Sequence, residues 1–273
     1  MPIGLIAGNS AFPFLVLRAA RQMGHDVTVV AIEGEAFPAL ETLAHELGGT
    51  TFRWVPLGQL QRCIAALRET GVSRAVMAGQ VQHVKLFTDV QPDALMTSVL
   101  RSLGAANTDA LISGVAAALV AHGIALMDST AFLADLMARP GVLTTKPPPE
   151  DMRNDFEFGY RVADAVAGLD IGQTIVVKNR AVVAVEAMEG TDATIQRAGA
   201  LAGAGARVVK VAKPSQDMRF DVPVVGVATV AAMQAAGVDG LSIDAGKTLV
   251  LDGEAFARAA DAAGIVVVGR ARR

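Results

Sequence analysis

The chain has 273 residues and a mass of 28.2 kDa, enough for about two domains of ordinary size. It carries 24 Lys+Arg against 27 Asp+Glu, a net charge of −3, with 52% hydrophobic and 4% aromatic residues. This excludes a disordered chain and argues against a general nucleic-acid binder, which needs a basic field and stacking platforms. The single Cys63 excludes a disulfide framework and a cysteine zinc site, and it fits a reducing compartment.

The first half alternates apolar runs with helical patterns. Ile3–Ala7 reads as a buried strand ending at Gly8, and Phe14–Met23 as the helix after it. Val27–Ile32 is a second strand, Ala39–Leu47 a second helix, and Phe52–Val55 a short strand before the helix Leu57–Glu69. Ala75–Ala78 is a further strand ending at Gly79. Strands separated by helices imply βαβ crossovers and a parallel sheet, with ligands at the carboxyl ends of the strands. Mean hydropathy is +0.42, and the uncharged run Ala110–Met127 approaches the length of a membrane span. His122, Ser113, Gly114 and Gly123 interrupt it, so the reading is a buried helix over Asp109–His122 and a strand at Ile124–Met127. A helix after Ser129 closes the domain, and the amino terminus has no basic region of the kind a signal peptide carries.

Residues 1–138 form the first domain on this reading, 139–149 a linker marked by Pro140 and Pro147-Pro148-Pro149, and 150–273 a second domain. The second domain opens with the charged helix Glu150–Val166. Apolar runs follow at Thr174–Val177, Ala181–Ala187, Ala206–Val211, Val222–Val227, Gly240–Ile243, Thr248–Leu251 and Gly264–Val268. Only some have helices between them. The fold class is therefore α/β, an amino-terminal Rossmann-like parallel-sheet domain joined to a distinct carboxyl-terminal domain with a mixed sheet.

Three segments carry candidate chemistry. The turn Gly8-Asn9-Ser10 ends a strand before a helix, where backbone N–H groups and the helix dipole suit a phosphate. Glu33, at the end of the second strand, invites a dinucleotide reading in which a carboxylate holds a ribose. The glycine spacing of that fingerprint is incomplete here, however, and an ordinary βα turn capped by Asn9 or Ser10 is the plain alternative. Lys213-Pro214-Ser215-Gln216-Asp217-Met218-Arg219-Phe220-Asp221-Val222-Pro223 is the most informative stretch. If extended, it puts Lys213, Ser215, Asp217, Arg219 and Asp221 on one face, with two carboxylates around a guanidinium. Such a row suits a divalent metal and a phosphate oxyanion, and equally an edge strand with a solvated charge ladder. In the third segment Glu186, Glu189 and Asp192 crowd three acids where a strand meets a helix, with Thr191 or Asp192 as a natural N-cap.

Weaker signals are Gly79-Gln80 at a strand end, Thr144, Thr145 and Lys146 where the domains must face each other, and Met152, Phe156, Phe158 and Tyr160 on one helix. His25, His45, His83 and His122 lack metal-site spacing, and no nucleophile elbow, Walker A or CxxC occurs.

Gly4-Leu5-Ile6-Ala7-Gly8, Glu186-Ala187-Met188-Glu189-Gly190-Thr191-Asp192 and the Lys213–Gly226 stretch occur here in one order. Together they resemble the UDP-2,3-diacylglucosamine pyrophosphatases of lipid A biosynthesis, in the branch unrelated to calcineurin-like phosphoesterases. The resemblance runs from Ile3 to about Gly269, with Asn9 and Ser10 standing where relatives often carry extra glycine. It implies hydrolysis of UDP-2,3-diacylglucosamine to UMP and 2,3-diacylglucosamine 1-phosphate. It also implies Mg²⁺ or another divalent cation, a homodimer, and a substrate lying between the two domains. On that basis Asp221 and Asp217 are expected to bind metal or orient water, with Glu186, Glu189 and Asp192 completing an acidic metal cluster. Arg219 and Lys213 would neutralise phosphate oxygens, and Gly8, Asn9, Ser10, Gly79, Gln80, Thr145, Lys146 and Thr191 would contact substrate. The expected location is cytoplasmic, peripheral at the inner membrane at most, with no nucleic-acid partner. The rivals are a non-catalytic nucleotide-sugar or lipid-binding protein and an NAD-dependent oxidoreductase.

Overall fold

The structure is a computed structural model that describes residues 1–81, 91–103, 108–214 and 216–271. His83, Ser215, Arg272 and Arg273 lie outside the described residues. The chain divides into two compact units, Met1–Leu133 and Ala134–Arg273.

In the first unit β1 (Ile3–Ala7), β2 (Val27–Ile32), β3 (Thr50–Val55), β4 (Arg74–Ala78) and β5 (Ala125–Leu126) form one sheet in the order β3-β2-β1-β4-β5. Every pairing is parallel. Its helices among the described residues are α1 (Phe12–Gln22), α2 (Ala39–Leu47), α3 (Leu60–Glu69), α4 (Ala94–Ser102) and α5 (Thr108–Ala121). All five residues of β1 are buried, the unbroken apolar run expected of a strand in a sheet covered on both faces. From β1 the order runs one way to β2 and β3 and the other way to β4 and β5. The topological switch point therefore lies between β1 and β4.

Two differences from the sequence reading stand out. Helix α4 was not anticipated; Asp93 caps it by accepting the Met96 amide at 2.8 Å, and only Met96 and Val99 are buried on it. The expected helix after Ser129 is absent. Ser129 instead donates to the Met77 carbonyl at 2.6 Å, and a short 3₁₀ turn follows at Ala134–Leu136. As read from the sequence, the uncharged run 110–127 divides into a helix and a strand, α5 and β5, and no helix among the described residues is long and apolar enough to cross a membrane.

The second unit contains β6 (Gly141–Val142), α6 (Glu150–Gly168), β7 (Thr174–Lys178), β8 (Ala181–Val185), α7 (Thr191–Ala202), β9 (Ala206–Lys210) and β10 (Val224–Val225). Then come α8 (Val227–Ala235), β11 (Val238–Asp244), β12 (Leu249–Val250), α9 (Glu254–Ala262) and β13 (Val266–Arg270). Its main sheet has the order β6-β13-β11-β9-β7-β8, with β10 and β12 forming a separate parallel pair. Strands β13, β11 and β9 are parallel, whereas β6, β7 and β8 pair antiparallel to their neighbours. Helix α6 covers one face, packing Met152 and Phe156 with Val177, Val209 and Val266. The close approach depends on Gly159, where a Cβ would lie 2.7 Å from a Val209 methyl. The opposite face packs Ile195, Val230, Met233 and Phe256 against Val208 and Leu241.

Residues 139–149, expected as a linker, are tied into this unit. β6 pairs with β13, the Leu143 amide donates to the Val267 carbonyl at 2.9 Å, and Thr145 holds Asp261 through both its amide (2.8 Å) and its hydroxyl (2.9 Å).

Candidate functional site

In the first unit the loops after β1 and β4 are joined at the switch point. The Asn9 amide donates to the Gln80 carbonyl at 2.8 Å and the Gln80 amide returns the bond at 3.1 Å. Both glycines are required here. A Cβ on Gly8 would lie 2.4 Å from the Gln80 carbonyl oxygen, and one on Gly79, at φ +90°, 2.3 Å from the Asn9 carbonyl oxygen. Ser10 takes φ 93° and its hydroxyl accepts the Phe12 amide at 3.2 Å at the start of α1. Gly8, Asn9, Ser10, Gly79 and Gln80, predicted separately from two turns, thus form one loop pair where doubly wound sheets take their ligands.

In the second unit the registers Thr174↔Lys210, Ile243↔Lys210 and Asp244↔Arg270 bring one end of each strand to a common edge. This is the carboxyl end of β9, β11 and β13. Lys210 is buried there at 8% exposure and donates to the Thr191 hydroxyl at 2.7 Å, which itself donates to Glu186 at 2.8 Å. A hydroxyl therefore links a buried ammonium to a buried carboxylate, as burial of charge demands. Glu186 also accepts the Gln173 amide at 3.2 Å. Just beyond β9, the Lys213 ammonium stands between two carboxylates, 2.6 Å from Asp170 and 3.3 Å from Asp221. Gln173 turns its side-chain amide to Asp221, at 3.2 Å and 3.4 Å from the two oxygens. Asp244, 1% exposed, accepts the Ala212 amide at 2.9 Å and fixes the chain between the two lysines.

The segment from Lys213 to Pro223 is not an extended strand. Asp217 captures the Arg219 amide at 3.0 Å, and the Asp221 amide donates to the Asp217 carbonyl at 3.1 Å, so the chain turns. An aspartate accepting the amide two residues on is the familiar competitor of strand pairing. The single charged face therefore breaks into two pairs. Lys213 meets Asp221, while Arg219 grips Asp217 through Nε at 2.9 Å and a terminal nitrogen at 2.6 Å. The hydrogen bond from Arg219 holds the Asp217 carboxyl below the usual carboxylate range.

The expected acidic metal cluster does not gather. Glu189 is turned to α7, accepting from Arg197 at 2.6 Å and from the Ala187 amide at 3.0 Å. Its own backbone amide first, and then Arg197, hold its carboxyl down at about 2. Asp192 is exposed on the first turn of α7. Among the described residues no three His, Cys, Asp or Glu side chains form a ligand set. Thr145 and Lys146 lie toward the amino end of β13, about 15 Å along the strands from the edge that carries Lys210 and Lys213. Their expected substrate contact is not brought to this cluster.

Residues 2–136 match the family model described as LpxI N-terminal domain, and residues 139–268 match that described as LpxI C-terminal domain. The chain belongs to the LpxI family. A relative from Caulobacter vibrioides (strain ATCC 19089 / CIP 103742 / CB 15), named UDP-2,3-diacylglucosamine pyrophosphatase LpxI, is 33% identical over 279 residues. The match covers 98% of this chain and 96% of that protein. Within this chain, sequence reasoning missed Asp170, Gln173, Lys210 and Asp244. Signals for two of them were present. Lys210 is a lone cation inside the run Val208-Val209-Lys210-Val211, and Asp170, at φ 58°, follows a helix in a loop closed by Gly172.

Proposed function

We propose that this chain hydrolyses the pyrophosphate bond of UDP-2,3-diacylglucosamine, giving UMP and 2,3-diacylglucosamine 1-phosphate. The full-length match to a relative named for that activity carries the reading. The second unit supplies chemistry that suits it. A water oxygen attacks one of the two phosphorus atoms, the bridging P–O bond breaks, and the other phosphate leaves with the electron pair while the water's proton passes to solvent. Charge grows on phosphoryl oxygens, and cations placed in advance stabilise it. Lys213 is the nearest such cation to Asp221, and Lys210 and Arg219 add to the positive field. Asp221, held by Gln173 and Lys213 yet partly open, is the acceptor that orients the water.

A divalent cation of the magnesium class fits this donor set in one way. Asp170 and Asp221 already share one cation, the Lys213 ammonium, so their carboxylates stand close enough together to share a divalent ion once that ammonium turns to a substrate phosphate. Magnesium is usually held by one or two carboxylates together with substrate phosphates rather than by an all-protein cage. Asp221 and Asp170 would hold the ion, which would add Lewis-acid stabilisation of phosphate charge. The family resemblance also supports a homodimer in the cytoplasm with at most peripheral membrane contact.

The test is Asp221→Asn, which keeps the size of the side chain but removes its charge and one of its two acceptor oxygens. We expect a folded protein whose kcat falls on the order of a hundredfold or more. Near-normal turnover by a folded variant would remove Asp221 from the mechanism.

A further inference from the structure

A cleft of about 480 Å³ opens in the first unit, with Asn9, Glu33, Phe37 and Trp54 among its lining residues. These residues stand at or just beyond the carboxyl ends of β1, β2 and β3, and the cleft is of a size that takes a small ligand. Asn9 also belongs to the loop pair at the switch point, so the cleft continues from that pair. Glu33 follows β2 directly. Its amide is tied to the Val55 carbonyl at 3.0 Å, while its exposed side chain makes no hydrogen bond or ion pair among the described residues. The Trp54 ring is fixed, donating from Nε1 to Glu41 at 2.8 Å and meeting the Phe52 ring edge-on at 5.3 Å between centroids. Phe37 is 48% exposed at the same cleft.

The charge of this lining selects its occupant. A carboxylate at Glu33 repels a phosphate but accepts hydrogen bonds from two neighbouring hydroxyls. At the end of the second strand of a doubly wound sheet, that position takes a ribose diol. Fixed aromatic rings beside it offer stacking surface to a base. The glycine spacing of the dinucleotide fingerprint is incomplete here, which favours a mononucleotide over the dinucleotide version of the same arrangement.

We propose that this cleft holds the nucleoside of a uridine nucleotide, with Glu33 accepting the ribose hydroxyls and Trp54 and Phe37 flanking the base. The choice of uridine rests on the activity proposed above, whereas the ribose assignment rests on Glu33 alone. Trp54 is the chain's one tryptophan, so its fluorescence reports the cleft directly.

The experiment titrates the full chain with UMP, 2′-deoxy-UMP and inorganic phosphate, for wild type and Glu33→Gln. Glu33 is exposed, so the variant keeps the fold, which far-UV circular dichroism checks. We expect saturable quenching by UMP and none by phosphate. Loss of the 2′-hydroxyl should weaken wild-type binding on the order of ten-fold, the size of one charge-assisted hydrogen bond. Glu33→Gln should weaken UMP by a similar factor and bind the two nucleotides alike. Equal binding of UMP and 2′-deoxy-UMP by wild type, or discrimination retained in Glu33→Gln, overturns the assignment. UMP release from UDP-2,3-diacylglucosamine is measured on the same wild-type protein. Turnover without ribose discrimination overturns the cleft assignment alone, and absence of both turnover and UMP binding overturns the proposed activity with it.

Discussion

Asp155→Ala should destabilise the second unit by about 3–5 kcal/mol, and the reason is local. Asp155 is 1% exposed and receives the Arg207 guanidinium at 2.7 Å, itself only 7% exposed. Its two oxygens also accept the amides of Asn179 at 3.1 Å and Arg180 at 2.6 Å. Those two residues form the loop between β7 and β8 with φ values of 52° and 58°, the left-handed pair of a type I′ hairpin turn made without glycine. Removing the carboxylate leaves two turn amides without acceptors and withdraws the one fully buried partner of a buried cation, though Asp151 and Asp239 still reach Arg207. For a unit of this size the loss corresponds to a melting shift of about 10–15 °C. The control is Asp151→Ala, which removes a carboxylate bonded to the same guanidinium but 65% exposed, and should cost under about 1 kcal/mol. Far-UV circular dichroism is the assay, because Trp54 lies in the other unit and its fluorescence follows that unit. An Asp155→Ala shift no larger than that of Asp151→Ala would refute the reasoning.

Two further outcomes follow from perturbed side chains. Cys63 is buried in the first unit and its thiol is pushed up to about 12, chiefly by that burial. A thiol reagent should leave it unmodified in native protein and react promptly in urea, so its modification rate reads opening of the first unit. Glu189, held at about 2, has a folded pKa below its unfolded value, so its contribution to stability is complete above about 4.5 and is lost as pH falls toward 2. Carboxyl-carbon NMR should give Glu189 a midpoint near 2 in the wild type, rising toward the ordinary range in Arg197→Gln. A midpoint unchanged by that substitution would sever the link to Arg197.

Most of the architecture was legible because burial on both faces writes strands as apolar runs. Val27–Ile32 and Ala39–Leu47 appear in the structure with the bounds read from sequence. Helix α4 escaped because Met96 and Val99 are its only buried residues, too few to make a periodic stripe. The segment at Lys213–Pro223 was misread for a different reason. Its alternating charges fit a strand face, but the deciding interaction is a short-range one, the Asp217 carboxylate on the Arg219 amide. Likewise the three acids near α7 were visible as a cluster, yet Arg197 turns Glu189 aside and Thr191 engages Glu186. Asp170 joins the site through a contact 43 residues away in sequence, with Lys213, a separation no local pattern encodes. Prolines mark where helices cannot run but say nothing about pairing, and β6 pairs with β13 just after Pro140.

The measurement that tests the account most directly is phosphorus-31 NMR of UDP-2,3-diacylglucosamine incubated with the protein in oxygen-18 water, with and without EDTA. UMP and 2,3-diacylglucosamine 1-phosphate are expected as the products, with oxygen-18 in one phosphate only and turnover stopped by EDTA and restored by Mg²⁺. Turnover that persists through EDTA would contradict the metal's role. An unchanged substrate spectrum, or products with no label in either phosphate, would contradict the hydrolysis itself.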